Sequence, residues 1–317
     1  MRLVFAGTPE PAVVALQKLI DSDHEVVAVL TQPDARRGRG RTLHPSAVAE
    51  LAQQHGIEVL KPTSLKADTE DGQAIRQRLA ELAPDCLPVV AYGQLITKDL
   101  LDVAPHGWVN LHFSLLPAWR GAAPVQASIR EGDQITGATT FRIDEGLDTG
   151  VILSTIEDTI QPTDTADDLL TRLAYSGGDL LVETMTGLEQ GTITPHAQEG
   201  EATYASKITT QDAQIDWSKP AEVIDRHIRA HTPGPGAWTT LVDARLKVGP
   251  ISHSGEVEVA ADLAPGAILA QKNSVVVGTG TTPIVLGNIQ PPGKKMMNAP
   301  DRARGAPLDQ EAKFQRA

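Results

Sequence analysis

Leu3-Val4-Phe5-Ala6-Gly7-Thr8-Pro9-Glu10 opens the chain with a short apolar run that stops at a glycine. Residues 3–6 read as a buried strand, and Gly7-Thr8-Pro9 as the turn that ends it. Apolar side chains then recur at Val13, Val14, Leu16, Leu19 and Ile20, the spacing of one helix face. Residues 26–30 form a second unbroken apolar run. Strand, helix and strand at this spacing predict two parallel strands joined by a right-handed crossover.

The alternation continues outward. Helices are predicted over Ala47–Gln54 and 75–82, and buried strands over 89–91 and 108–111. Pro88 is expected at the first residue of its strand, where a missing N–H costs least. The fold class is therefore α/β, with an N-terminal doubly wound, mostly parallel sheet. Residues 164–189 read as one long helix or two, with Thr163 or Asp164 as cap and Gly177-Gly178 as a possible break. Residues 191–207 are polar and turn-rich and read as a linker. A helix over Ala221–Ala230 follows. After it come short apolar runs at 246–248, 257–260, 267–270, 274–277 and 284–286, which suggest a small β-barrel or sandwich. The division is thus 1–190, a linker over 191–207, and 208–317. From Pro300 onward the chain is polar and is expected to lack fixed structure.

Composition bounds the function. The chain has 317 residues, 41% of them hydrophobic and 21% charged, enough for sizeable cores. One cysteine, Cys86, excludes an intramolecular disulfide framework and a thiolate metal cluster, and it reads as a core residue. No apolar run of about 18 residues appears, so no membrane span is expected. The first residues lack a secretory apolar region and cleavage site, so a cytoplasmic location is expected. The net charge of -12 argues against a general nucleic-acid coat. Its distribution says more. Residues 206–317 carry 13 Lys and Arg against 11 Asp and Glu, while the rest of the chain is strongly acidic. Within the acidic part, Arg36, Arg37, Arg39 and Arg41 share one glycine-spaced loop. Those arginines could meet a polyanion, or could simply keep a loop solvated.

Three polar groups stand out. Gly7-Thr8-Pro9-Glu10 follows a strand but lacks the G-x-G-x-x-G pattern, and Glu10 would repel a pyrophosphate. A dinucleotide cofactor is therefore disfavoured. Asn110 and His112 are two residues apart at a strand end, which puts both on one face. Such a pair can serve chemistry or structure equally. Asp148 lies in the glycine-rich stretch Asp144-Glu145-Gly146-Leu147-Asp148-Thr149-Gly150 and could merely cap that turn. No spacing argument brings Asp148 to His112.

Taken together, Asn110-x-His112-x-Ser114-Leu115-Leu116-Pro117-x-x-Arg120-Gly121 and Gly146-Leu147-Asp148-Thr149-Gly150 resemble the formyltetrahydrofolate-dependent formyltransferase family. The similarity covers most of the chain, through Thr31-Gln32-Pro33-Asp34, Val89-Val90-Ala91-Tyr92-Gly93, Ile215-Asp216-Trp217 and Gln290-Pro291-Pro292-Gly293-Lys294-Lys295. The downstream motifs and the arginine loop narrow it to the branch that acts on tRNA. The resemblance implies a Rossmann-like catalytic domain and an oligonucleotide-binding-like C-terminal barrel. It implies transfer of a formyl group from 10-formyltetrahydrofolate, as co-substrate, to the amino group of methionine on initiator methionyl-tRNA, without a metal. Asn110 and His112 are then expected to hydrogen-bond the formyl oxygen, and Asp148 to favour the charged imidazole. Ser114, Leu115, Leu116 and Pro117 are expected in the folate pocket, with main-chain groups of Val89, Ala91 and Tyr92. Arg36, Arg37, Arg39, Arg41, Lys207, Lys294 and Lys295 are expected on tRNA phosphates. The family also looks monomeric. Two positions depart from its pattern: Ala118 stands where a basic residue is common, and Pro11 where an aromatic is.

Overall fold

The computed structural model describes residues 1–37, 42–242, 244–252, 263–305 and 313–315. It divides into two compact units. The first comprises Met1–Gly121, Ile135–Thr159 and Leu170–Tyr204; the second comprises Ala122–Gln134, Ile160–Leu169 and Ala205–Ala317.

The first unit is built on a seven-stranded sheet. Its strands in chain order are β1 (Arg2–Gly7), β2 (Glu25–Leu30), β3 (Glu58–Leu60), β4 (Leu87–Val90), β5 (Trp108–His112), β6 (Ile135–Arg142) and β7 (Ile152–Thr159). Their spatial order is β7-β6-β5-β4-β1-β2-β3. β1 to β5 pair in parallel, while β6 and β7 form an antiparallel edge. Helices α1 (Glu10–Ile20), α2 (Ala47–Gln54) and α3 (Glu70–Leu82) supply the crossovers. The apolar runs form these strands because both sheet faces are covered: Val4, Ala6, Ala28 and Leu30 are core on one face, and Leu3, Phe5 and Val29 are buried on the other. Cys86 is fully buried and unpaired.

Pro88 is the second residue of β4, not the first, and β4 is a central strand. The sheet tolerates it by skipping a step. β1 meets this segment at Leu3 and Cys86, then resumes pairing only from Ala6 and Val89. The gap falls where Pro88 has no N–H to give. At Gly7 a Cβ would lie 2.8 Å from Ala12 Cβ and 2.9 Å from the Val90 carbonyl, so the β1–α1 turn needs glycine. Glu10 sits in the first turn of α1, where the helix dipole favours its charge.

One helix, α4 (Ala166–Gln190), covers the stretch read as one helix or two. Its start is set by Thr165, not by Thr163 or Asp164. Thr165 Oγ1 accepts from the Asp168 amide at 3.2 Å, and Asp168 returns the contact on the Thr165 amide at 3.0 Å. Gly177 and Gly178 do not break it. They let it lie close to its neighbours: a Cβ at Gly177 would be 3.1 Å from Leu111, and one at Gly178 2.7 Å from Lys18.

In the second unit, α5 (Ala221–Ala230) keeps the predicted bounds. Strands Trp238–Leu241, Ala244–Val248, Asn288–Gln290 and Met297–Asn298 form one antiparallel sheet. Strands Ile268–Ala270, Val275–Val277 and Ile284–Val285 form another. Both contribute to one core, with Leu246, Val248, Ile268, Val275 and Ile289. The expected strand at 257–260 lies outside the described residues. The described parts of the polar stretch beyond Pro300 have fixed structure. Ala299–Gly305 is a helix, and Phe314 is buried and stacks on Trp217 at 5.3 Å. One aromatic anchor outweighs the polar residues around it.

The unit also packs two histidines together, part-buried His227 and fully buried His231, with ring centroids 4.3 Å apart. Burial, then His231 and Arg130, push the His227 pKa from 6.5 down to about 4, while a hydrogen bond to the Ala213 backbone opposes them. The unfolded chain therefore takes up this proton near pH 6.5, and the folded one only near pH 4. Stability is intact above that window and is lost as the pH falls through it. The loss attributable to His227 should reach roughly 3 kcal/mol. Urea unfolding between pH 7 and 4.5 checks this: the pH dependence should be shallower in His227→Gln than in the wild type.

Candidate active site

β4 and β5 run in parallel, with Val89 opposite Asn110, and β5 pairs with β6 with His112 opposite Thr139. The carboxyl ends of the parallel strands therefore lie along one edge, the edge where ligands of such sheets bind. Asn110 and His112 stand at that end of β5. Asn110 is half-buried, and no described residue hydrogen-bonds its carboxamide.

His112 is buried. Its Nε2 lies 2.9 Å from the Trp119 carbonyl oxygen. A carbonyl can only accept, so Nε2 carries the proton of the neutral ring and Nδ1 is left as a free acceptor. Nδ1 faces Asp148, with Oδ2 at 3.8 Å. The acid thus meets the imidazole across 36 residues of chain. Burial holds the His112 pKa below its ordinary value, and the Asp148 charge pulls it back up. The ring meets Phe141 edge-on at 6.4 Å, which fixes its plane.

Asp148 is not the cap of its turn. That task falls to Asp144, whose Oδ1 accepts from the Gly146 amide at 3.0 Å and the Thr149 hydroxyl at 2.6 Å. Asp148 Oδ2 instead accepts the Gly121 amide at 2.7 Å. Its backbone is left-handed, with φ 51°. One short segment therefore serves both groups: Trp119 holds the imidazole and Gly121 the carboxylate.

The residues expected around folate divide by environment. Ser114 is fully buried, and its hydroxyl donates to the Ala118 carbonyl at 2.5 Å. Leu116 packs with Phe141 and Ile152 in a small core cluster. Leu115 and Pro117 are part-exposed. Val89 is buried, Ala91 is exposed with φ 49°, and Tyr92 is buried. The Tyr92 carbonyl accepts from Thr8 Oγ1 at 2.9 Å and Gln32 Nε2 at 3.1 Å. Its hydroxyl is buried without a partner, and burial raises its pKa.

The arginine loop is a hairpin, with Ala35–Arg37 paired to Thr42–His44. Arg36 is exposed on it. Arg37 lies in its first strand, and Arg39 and Arg41 fall outside the described residues. Lys207, Lys294 and Lys295 are exposed in the second unit. A cavity of about 810 Å³ in that unit is lined by Arg130, Gln214, Arg226 and His227, and by none of Asn110, His112 and Asp148. Among the described residues there is no group of three His, Cys, Asp or Glu side chains that could hold a metal. No helix among them is long and apolar enough to cross a membrane.

Three contributors escaped the sequence reading. The Trp119 carbonyl and the Gly121 amide are backbone groups, invisible to residue-type reasoning. Thr139 is fully buried; its hydroxyl donates to the Ser114 carbonyl at 2.7 Å and accepts from the Leu116 amide at 3.2 Å. A Thr-Thr pair inside the apolar stretch of β6 was the available signal. The stretch 191–207, expected as a linker, is pinned to the sheet: His196 bridges Ile152, and Thr203 bonds the Trp119 and Arg120 amides.

These features agree with what the chain is similar to. The formyl transferase family model matches residues 1–185, and the model of the formyl transferase C-terminal domain matches residues 207–307. The chain belongs to the formyl transferase family, and within it to the methionyl-tRNA formyltransferases. It is 98% identical to the methionyl-tRNA formyltransferase of Corynebacterium glutamicum (strain R), over 99% of this chain and 100% of that one. It is 81% identical to that of Corynebacterium efficiens, over the same shares. Among solved structures, WlaRD, a sugar 3N-formyl transferase, superposes with a TM-score of 0.65 at 18% identity, covering 93% of this chain and 99% of that one.

Thr139→Val keeps the shape of the side chain but strands a buried carbonyl and a buried amide. It should cost about 1–3 kcal/mol in urea unfolding and speed hydrogen exchange at the Leu116 amide. Unchanged exchange at Leu116 would mean that Thr139 does not hold this turn.

Proposed function

We propose that this chain transfers the formyl group of 10-formyltetrahydrofolate to the amino group of methionine on initiator methionyl-tRNA, supplying the formylated initiator for translation. The carrying observation is the full-length identity of 98% to a methionyl-tRNA formyltransferase. The meeting of His112 with Asp148, at the strand end that also carries Asn110, is the physical support.

The co-substrate supplies a formyl group on a nitrogen that leaves with tetrahydrofolate. The residues at the sheet edge fit such a ligand. Asn110 has an uncommitted carboxamide, Ala91 exposes left-handed backbone, and Tyr92 carries an unpartnered buried hydroxyl. In the reaction, Asn110 donates its amide N–H to the formyl oxygen, where negative charge develops as the methionine amine attacks. His112 was expected to hydrogen-bond that oxygen as well, but its Nε2–H is committed to the Trp119 carbonyl; neutral and bare at Nδ1, it instead accepts the proton that the amine gives up. The Asp148 charge stabilises the imidazolium so formed, and the imidazolium returns the proton to the departing nitrogen. Burial keeps His112 unprotonated before the reaction; Asp148 keeps it basic enough to act. The groups of Ser114, Leu115, Leu116 and Pro117 and the main chain at Val89, Ala91 and Tyr92 wall the folate side.

Residues 1–190 carry the chemistry, and residues 208–317, the domain with the antiparallel sheets, bear tRNA. Arg36, Arg37, Arg39 and Arg41 reach the acceptor end, and Lys207, Lys294 and Lys295 contact phosphates. Such contacts position the RNA and make binding sensitive to salt. The chain acts as a monomer in the cytoplasm.

His112→Ala should lower formyl transfer by about 10²–10⁴-fold while sparing tRNA binding. Asp148→Asn removes the charge that raises the His112 pKa, so the acid limb of the pH–rate profile should move to lower pH. Both are read by transfer of labelled formyl from the folate donor to methionyl-tRNA. Transfer to a small sugar amine but not to tRNA would overturn the substrate; full activity in His112→Ala would overturn the base.

A further inference from the structure

Asp148 occupies a conformation that its own residue type does not favour. A non-glycine residue at φ 51° costs about 1 kcal/mol or more and persists only where surrounding contacts fix it. Within its loop, Asp144 holds the Gly146 amide and the Thr149 hydroxyl, but neither contact reaches the Asp148 backbone. The fixing contacts come from Gln198, in the stretch whose sequence reads as a linker. Gln198 Nε2 donates to the Asp148 carbonyl at 2.7 Å and to the Gly150 carbonyl at 2.9 Å. Gln198 Oε1 accepts from Arg120 Nε at 3.1 Å and from Arg120 Nη2 at 2.7 Å.

These bonds close a ring. Arg120 precedes Gly121, whose amide holds the Asp148 carboxylate at 2.7 Å, and follows Trp119, whose carbonyl holds His112 at 2.9 Å. Gln198 therefore ties the backbone of Asp148 to the segment that orients both its carboxylate and the imidazole. Only a primary amide does this with one side chain: two donors on one side, an acceptor for a guanidinium on the other. A glutamate would keep the Arg120 contact and turn two donations into repulsions. We propose that Gln198 is a positioning residue for formyl transfer, holding Asp148 against His112.

The inference rests on the roles proposed above for His112 and Asp148, so its test carries a readout that does not need turnover. In Gln198→Ala and Gln198→Glu, kcat should fall about tenfold or more, with KM for both substrates within about twofold. The glutamate variant keeps the size and the Arg120 contact, so it reports if the alanine variant folds poorly. In the Asp148→Asn background the same substitutions should cost less than about a further twofold, because the residue acts through Asp148. Independently, the NMR titration of the His112 ring should move to lower pH in Gln198→Ala, a variant that brings no new charge near the imidazole. Unchanged kcat, a full additional loss in the Asp148→Asn background, or an unmoved His112 titration would overturn the positioning role. Wild-type protein that fails to formylate methionyl-tRNA would overturn the proposed function, while the His112 titration would still decide the role of Gln198.

Discussion

Everything at this site depends on one three-residue backbone segment, Trp119-Arg120-Gly121. Its carbonyl at Trp119 accepts a hydrogen bond from His112 Nε2–H, and its amide at Gly121 donates one to the carboxylate of Asp148. The first contact fixes which imidazole nitrogen is free. The second fixes where the charge sits. Neither would matter if the imidazole were in water, where a carboxylate 3.8 Å away is strongly screened. Because the ring is buried, the two opposing effects on its pKa, desolvation and the neighbouring charge, are both large enough to count.

The sheet makes this arrangement possible. Parallel strands end at a common edge, and β5 carries Asn110 and His112 there on one face. β6 ends with Arg142 opposite Val109, and the loop that follows carries Asp148 back to His112, with Oδ2 3.8 Å from Nδ1. Thr139 then holds the turn after β5 through the Ser114 carbonyl and the Leu116 amide. Polar side chains inside an otherwise apolar strand are costly unless bonded, and here both Thr139 and the groups it meets are satisfied.

Much of this was legible in the sequence, and the rest was not for identifiable reasons. The crossover units followed from apolar runs alternating with helical periodicity, and Ala47–Gln54 and Ala221–Ala230 were readable to their ends. Asn110 and His112 on one face followed from strand alternation. The meeting of Asp148 with His112 did not, because no local pattern encodes a contact over that separation; only family resemblance supplied it. Pro88 was placed one residue too early, since local rules cannot foresee a skipped pairing step between two central strands. The polar residues beyond Pro300 concealed Phe314, a single buried anchor. The stretch 191–207 read as a linker because its contacts are hydrogen bonds from Gln198 and Thr203 rather than apolar burial. Polarity signals exposure in a sequence, while in the folded chain it closes the site.

The central claim is that neutral His112 carries its proton on Nε2 and presents a bare Nδ1 to Asp148. Nitrogen-15 NMR of the His112 ring across pH, in wild type and in Asp148→Asn, tests it directly. The predicted result is an Nε2–H tautomer in the neutral ring and a titration that moves to lower pH when the Asp148 charge is removed. An Nδ1–H tautomer, or a titration indifferent to that substitution, would contradict it.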